Sequence, residues 1–231
     1  MAEYINIRGQ SIEVVASDPA NPTLGQIWYN STSNTLKAEN LGVASWATGN
    51  NMNTARYLLA GAGTQTAALG FGGEITPVSA ATEEYDGTSW TNSNPLNTAR
   101  GTLGGAGTQT AAVGFGGDTG INSAVTEEYD GNSWTTVNSM NTARQNLSGC
   151  GTQTAGLAIG GEAPPITGAT EEYDGNSWTT VNPLNTARQL LASVGTQPAA
   201  LTFGGNAPPF TAATEEYTAT GTAGIKTITV S

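Results

Sequence analysis

The sequence predicts an all-β fold built from repeated four-stranded antiparallel sheets, and two observations lead there. Asn53-Thr54-Ala55-Arg56 recurs at Asn97, Asn141 and Asn185, each copy 44 residues after the last. Thr82-Glu83-Glu84-Tyr85 recurs at Thr126, Thr170 and Thr214 in the same register, and Trp46, Trp90, Trp134 and Trp178 keep that spacing too. A fixed period of this length marks a unit that buries its apolar face only against its neighbours. The composition agrees: 31 glycines and only 11% charged residues suit close-packed β-structure rather than a disordered chain.

One unit, read from Arg100, holds four short strands. Strand A carries Leu103, equivalent to Leu59, Leu147 and Leu191, and runs to Gly107-Thr108-Gln109. Strand B, Ala111 to Phe115, alternates large and small side chains, with Val113 and Phe115 on one face and Ala112 and Gly114 on the other. It ends in a glycine pair (Gly116-Gly117, with Gly72-Gly73, Gly160-Gly161 and Gly204-Gly205 elsewhere), as expected where a chain turns at positive φ. Strand C carries Glu-Glu-Tyr, Asp130-Gly131 signals a tight hairpin, and strand D starts at Ser133-Trp134. Four strands per unit, repeated radially, describe the blades of a β-propeller. In that frame Arg56, Arg100, Arg144 and Arg188 and the four spaced tryptophans are structural. Each Arg is expected to pair with one Glu of its own repeat while the second Glu faces solvent, because a buried Arg needs such a partner.

The ends depart from the period. Ala38 to Trp46 aligns with Thr82 to Trp90 as a degenerate earlier copy. Ahead of it, Ile27 to Asn30 and Thr35 to Lys37 read as a hairpin across Ser31 to Asn34. At the far end Glu215-Glu216-Tyr217 lacks its Asp-Gly and Trp, and Ile225 to Val230 reads as a last strand. The expectation is five blades of four antiparallel strands, closed into a ring by the N- and C-terminal segments so that no sheet edge stays open. Residues 1–26 are then an N-terminal segment and residues 27–231 the propeller.

Composition excludes several chemistries. A net charge of −11, with 11 of 18 acids in the repeated Glu-Glu and Asp positions, disfavours nucleic acid and anionic membranes. No apolar run nears the ~18 residues a membrane helix needs. The chain has no His, the commonest general base and metal ligand, and its one Cys, Cys150, falls where other copies carry Ala62, Ala106 and Val194. Cys150 is therefore expected to be a small buried hydrophobe. No catalytic residue, metal site or cofactor is predicted. The Glu pairs are the remaining catalytic candidates, but neighbours on a strand point to opposite faces, and identical copies suit structure better than one active centre.

Comparing the copies with one another separates frame from decoration. The start of strand A varies as Tyr57, Gly101, Gln145 and Gln189. The B–C loop varies most, with one position running Val78, Asn122, Ile166 and Phe210. Loops on a rigid scaffold commonly carry binding, so Tyr57, Gln145, Gln189, Val78, Asn122, Ile166 and Phe210 are the candidate ligand-binding residues. Aromatic and amide side chains suit a glycan or a protein surface.

The Arg before strand A, the glycine pair ending strand B, and the Tyr and Trp of the next hairpin resemble the kelch family of β-propellers over about residues 38–217. Tyr85 and Trp90 are closer together than is usual in that family, which implies a tighter C–D hairpin. Gly25 to Lys37, preceded by Asp18-Pro19-Ala20-Asn21-Pro22, is similar to a short motif in structural proteins of tailed bacteriophages. Phage virion proteins with Asn-Thr-Ala-Arg and Thr-Glu-Glu-Tyr-Asp-Gly repeats look similar to the whole chain. The resemblance implies a non-enzymatic virion protein of a tail fibre, tail tip or capsid, assembled in the host bacterial cytoplasm and used for host attachment. Its partners would be other virion proteins and a host-surface glycan or protein, with a homo-oligomer compatible. A glycan-processing enzyme, with Asp118, Glu74 or Glu162 in the variable loops, and a cellular kelch interaction module are the alternatives.

Overall fold

The computed structural model describes residues 12–21, 26–38 and 46–219, and every regular element among them is a strand. The chain divides into two compact units, residues 1–48 and 49–231.

In the first unit β1 (Glu13–Val15) pairs parallel with β2 (Ile27–Asn30), which pairs antiparallel with β3 (Thr35–Ala38). The expected hairpin across Ser31 to Asn34 is present, and Asn30 Oδ1 accepts the Thr32 and Ser33 amides that shape it. Asp18 ties the unit together. Its carboxylate accepts the Trp28 indole N–H (3.0 Å) and the Asn30 amide (2.8 Å) and pairs with Lys37 (2.5 Å), and these bonds hold its pKa far below the usual carboxylate range. The hairpin groups with the segment before it, and the two compact units divide after Thr48 rather than after residue 26. The described part of this sheet has three strands and one parallel pair, unlike the antiparallel sheets of the repeats.

The second unit contains the four repeats. The first is β4 (Ala60–Thr64), β5 (Ala67–Phe71), β6 (Thr82–Tyr85) and β7 (Trp90–Ser93). The second is β8 (Gly104–Thr108), β9 (Ala111–Phe115), β10 (Thr126–Tyr129) and β11 (Trp134–Val137). The third is β12 (Ser148–Thr152), β13 (Ala155–Ile159), β14 (Thr170–Tyr173) and β15 (Trp178–Val181). The fourth has three described strands, β16 (Ala192–Thr196), β17 (Ala199–Phe203) and β18 (Thr214–Thr218). Each repeat is one antiparallel meander in sequence order. The predicted Ile225–Val230 strand and most of the degenerate copy before Trp46 lie outside the described residues.

Sheets of consecutive repeats pack face to face, with the first strands β4, β8, β12 and β16 side by side. The alternation read in strand B explains why they fit. Phe71 and Phe115 each bury completely against the next repeat, touching Trp134 (centroids 4.8 Å apart) and Trp178 (5.0 Å). A side chain at Gly149 would run into the backbone of Gly105 at about 2.8 Å, so neighbouring first strands need a bare position there. Leu103, Leu147 and Leu191 are buried, each lying between the first glycine of the preceding repeat's pair and the second glycine of its own. Leu59 is only half-buried, because no described residue of an earlier repeat covers it. Cys150 is buried, and burial pushes its thiol pKa up to about 11.

Candidate functional site

The recurring motifs form one internal staple per repeat. Arg100 and Glu127 are fully buried with N–O 3.3 Å, and Arg56–Glu83, Arg144–Glu171 (2.5 Å) and Arg188–Glu215 (3.2 Å) repeat the pair. Glu127 also accepts the backbone amides of Asn97 (2.6 Å) and Thr98 (3.2 Å), while Asn97 Nδ2 donates to the Trp134 carbonyl (2.8 Å). Asn-Thr-Ala-Arg, Glu-Glu and Trp therefore recur together because they bond to one another. Each Arg further donates to backbone carbonyls, Arg100 to Val125 (2.7 Å) and Gly114 (3.1 Å). The Arg Nε atoms have no hydrogen-bond partner, and burial draws the Arg100 pKa down to about 10 against the pull of Glu127. The guanidinium still stays charged at neutral pH.

The second Glu is solvent-facing as expected only in the fourth repeat, where Glu216 is exposed; in the first three it is not. Glu84 accepts the Tyr129 hydroxyl, Glu128 that of Tyr173 (2.8 Å) and Glu172 that of Tyr217 (2.8 Å), so the second carboxylate clips each repeat to the next. The donor lies 45 residues on, one beyond the period, and a reading confined to a single repeat cannot see it. Burial and the nearby carboxylate push the Tyr129 hydroxyl pKa up to about 12. Two more clips went unread in the sequence. Gln109, Gln153 and Gln197 donate across to carbonyls of the previous repeat, Gln109 to Ala68 (3.1 Å) and Tyr85 (2.7 Å), and their recurrence was the available signal. Leu58, Thr102, Asn146 and Leu190 sit at φ 53–55°, and their backbones form a ladder from Thr102 N to Leu58 O (2.9 Å), Asn146 N to Thr102 O and Leu190 N to Asn146 O. Leu and Thr rarely adopt that conformation, so nothing local announces it.

The four tryptophans do not share one environment. Trp134 and Trp178 are buried, each stacked on the Tyr of its own sheet and donating its indole N–H to Thr82 or Thr126 of the previous repeat (2.9 Å each). Trp90 packs on Tyr85 and is half-buried. Trp46 is fully exposed, which corrects its expected structural role.

With the invariant residues engaged in the frame, the variable ones remain, and the fold gathers them. Tyr57 bridges Glu74, which bridges Val78. The same three-part bridge joins Gly101, Asp118 and Asn122, then Gln145, Glu162 and Ile166, then Gln189, Asn206 and Phe210. Two regions that differ between copies and lie about twenty residues apart thus meet at one end of each repeat's sheet. Tyr57 (59% exposed) and Phe210 (82%) are open to solvent, whereas Val78, Asn122, Gln145, Ile166 and Gln189 are half-buried. A hydrogen bond to Glu74 raises the Tyr57 hydroxyl pKa.

The clusters adjoin from one repeat to the next. Asn122 Nδ2 donates to the Glu162 carbonyl (2.9 Å), and Asn146 Nδ2 to Gln189 Oε1 (3.0 Å). A groove of about 320 Å³ runs between the first two loops, with Glu74, Thr76 and Val78 on one wall and Asp118 and Thr119 on the other. Its walls offer carboxylate and hydroxyl acceptors beside short apolar surfaces, a mixture suited to sugar hydroxyls or a polar peptide. No group of three or more metal-ligating side chains occurs among the described residues. Compared with models of known protein families and with curated proteins, the chain matches none of them.

Proposed function

We propose that this chain is a non-enzymatic attachment protein of a phage particle, a kelch-like propeller whose variable loop row meets a host-surface glycan or protein. The observation that carries the attachment reading is the convergence of Tyr57, Val78 and their equivalents on one rim while the frame beneath stays constant. Constant frame with varied rim is how a scaffold alters contacts without altering its fold. The virion assignment rests on the sequence resemblance. A ring of five blades closed by the N- and C-terminal segments belongs to the same proposal and rests on the repeat pattern.

A glycan-processing role gains no support. Glu83 and its equivalents are consumed by Arg and backbone amides, and Glu84, Glu128 and Glu172 by tyrosine hydroxyls, while Glu216 stands exposed. Asp118 and Glu162 stand in the loops within bridges that repeat in every copy. The test is to place the third loop, Glu162 to Thr167, at all four B–C positions and measure adsorption of particles to host cells. Reduced adsorption with the protein still folded is expected. Unchanged adsorption would defeat the receptor role of the loops, and absence of the protein from purified particles by mass spectrometry would defeat the virion assignment.

A further inference from the structure

The slot that holds Trp134 in the second repeat and Trp178 in the third occurs once more. Trp134 sits among Phe71, Thr82, Leu96 and Tyr129, and Trp178 among Phe115, Thr126, Met140 and Tyr173. One period on, Ile159, Thr170, Leu184 and Tyr217 line a cavity of about 240 Å³. The period places Thr222, not a tryptophan, at the position that would fill it, and residues 220–231 contain no aromatic ring. Apolar cavities of about 150 Å³ accept benzene, so an indole has room here. Thr170 stands where Thr82 and Thr126 accept the indole N–H. Among the described residues the fourth sheet ends at β18, the strand beside the slot, and strand addition along such an edge is a common mode of protein recognition.

We propose that this slot is a protein-docking site that receives Trp46 of a second copy of this chain, with residues 46–49 adding along β18. Of the chain's five tryptophans, Trp28, Trp134 and Trp178 are buried in their own sheets and Trp90 is half-buried against Tyr85, whereas Trp46 is fully exposed. Its surroundings match those of a slot-filling tryptophan. Trp46-Ala47-Thr48 parallels Trp178-Thr179-Thr180, and Trp46 stands seven residues before Asn53 as Trp178 does before Asn185. Residues 46–50 are exposed and carry no strand pairing. An aromatic side chain buries roughly 150–250 Å², so an exposed indole and an indole-sized slot that no described residue fills are complementary surfaces. The contact is head to tail, with different surfaces on the two copies, and it builds either a closed ring or an open chain. It does not depend on the virion assignment.

Sedimentation of the full chain across the micromolar range tests this. Concentration-dependent assembly is expected. Trp46→Ala should weaken it by at least about 30-fold, as for a central aromatic anchor. Thr170→Val, which keeps the shape but removes the acceptor, should weaken it about tenfold. Because Trp46 is exposed, its removal leaves the fold intact, and the wild-type minus Trp46→Ala fluorescence difference should shift to the blue as assembly proceeds. A monomer at all concentrations, or an assembly indifferent to both substitutions, would overturn the proposal. So would a Trp46 signal already blue-shifted at a monomer's mass.

Discussion

The second and fourth repeats carry nearly the same motifs and end in different environments. Phe115 is fully buried in the second, and its equivalent Phe203 is 40% exposed in the fourth. Tyr129 is buried and Tyr217 half-buried; Ala106 is buried, and Val194 in the same place is exposed. Glu127 is sealed, and the Glu215 side chain is 15% exposed. Since the sequences agree, the difference lies in the neighbour. The second repeat is covered on both sides, while no described residue covers the outer face of the fourth. Stability in such an array is a sum of within-repeat and between-repeat terms, and among the described residues the fourth repeat has the second kind on one side only.

The largest expected effect sharpens this contrast at the ion pairs. Glu127→Ala leaves a buried guanidinium uncompensated and should cost about 3–5 kcal/mol, whereas Glu215→Ala should cost clearly less because water reaches that carboxylate. Chemical denaturation of the two variants decides it, and equal losses would mean that the neighbour does not set the cost. Next come the core leucines. Leu147→Ala should lose about 2–5 kcal/mol, and Leu59→Ala less than half of that, read from the same unfolding curves.

A smaller effect isolates the clip between repeats. Thr82→Val removes the acceptor of the Trp134 indole N–H and should cost about 1–2 kcal/mol, but nothing if the indole is held by packing alone. The last prediction concerns pH. A tyrosine raised to about 12 in the folded protein, against about 10 unfolded, keeps its proton more tightly when folded. Its contribution is full below pH ~10 and is lost as pH rises from there toward ~12. Tyr129→Phe should therefore flatten the alkaline decline in thermal midpoint. An unchanged slope would show that the Glu84 clip does not govern that limb.

Much of this was legible in the chain. Strand β9 runs from Ala111 to Phe115 as its alternation implies, the hairpin of β2 and β3 has its expected turn, and the one-to-one count of Arg and Glu foretold the buried pairs. Strand β1 was not legible, because three residues pairing in parallel with a distant partner leave no local pattern. The variable clusters were half-legible: both variable regions stood out in the sequence, but their meeting at Glu74 and its equivalents needed the bridge geometry.

By itself, the sequence determined the repeat, its four strands and the pairing inside each sheet, because those depend on periodicity and on residues within one 44-residue unit. Tertiary structure alone decided which copies are buried, that Glu84 serves the following repeat, that Trp46 stands exposed, and that a cavity lies beside Thr170 among the described residues. Those outcomes depend on what lies against each sheet, and a local pattern repeated identically in every copy carries no record of whether a neighbour is there.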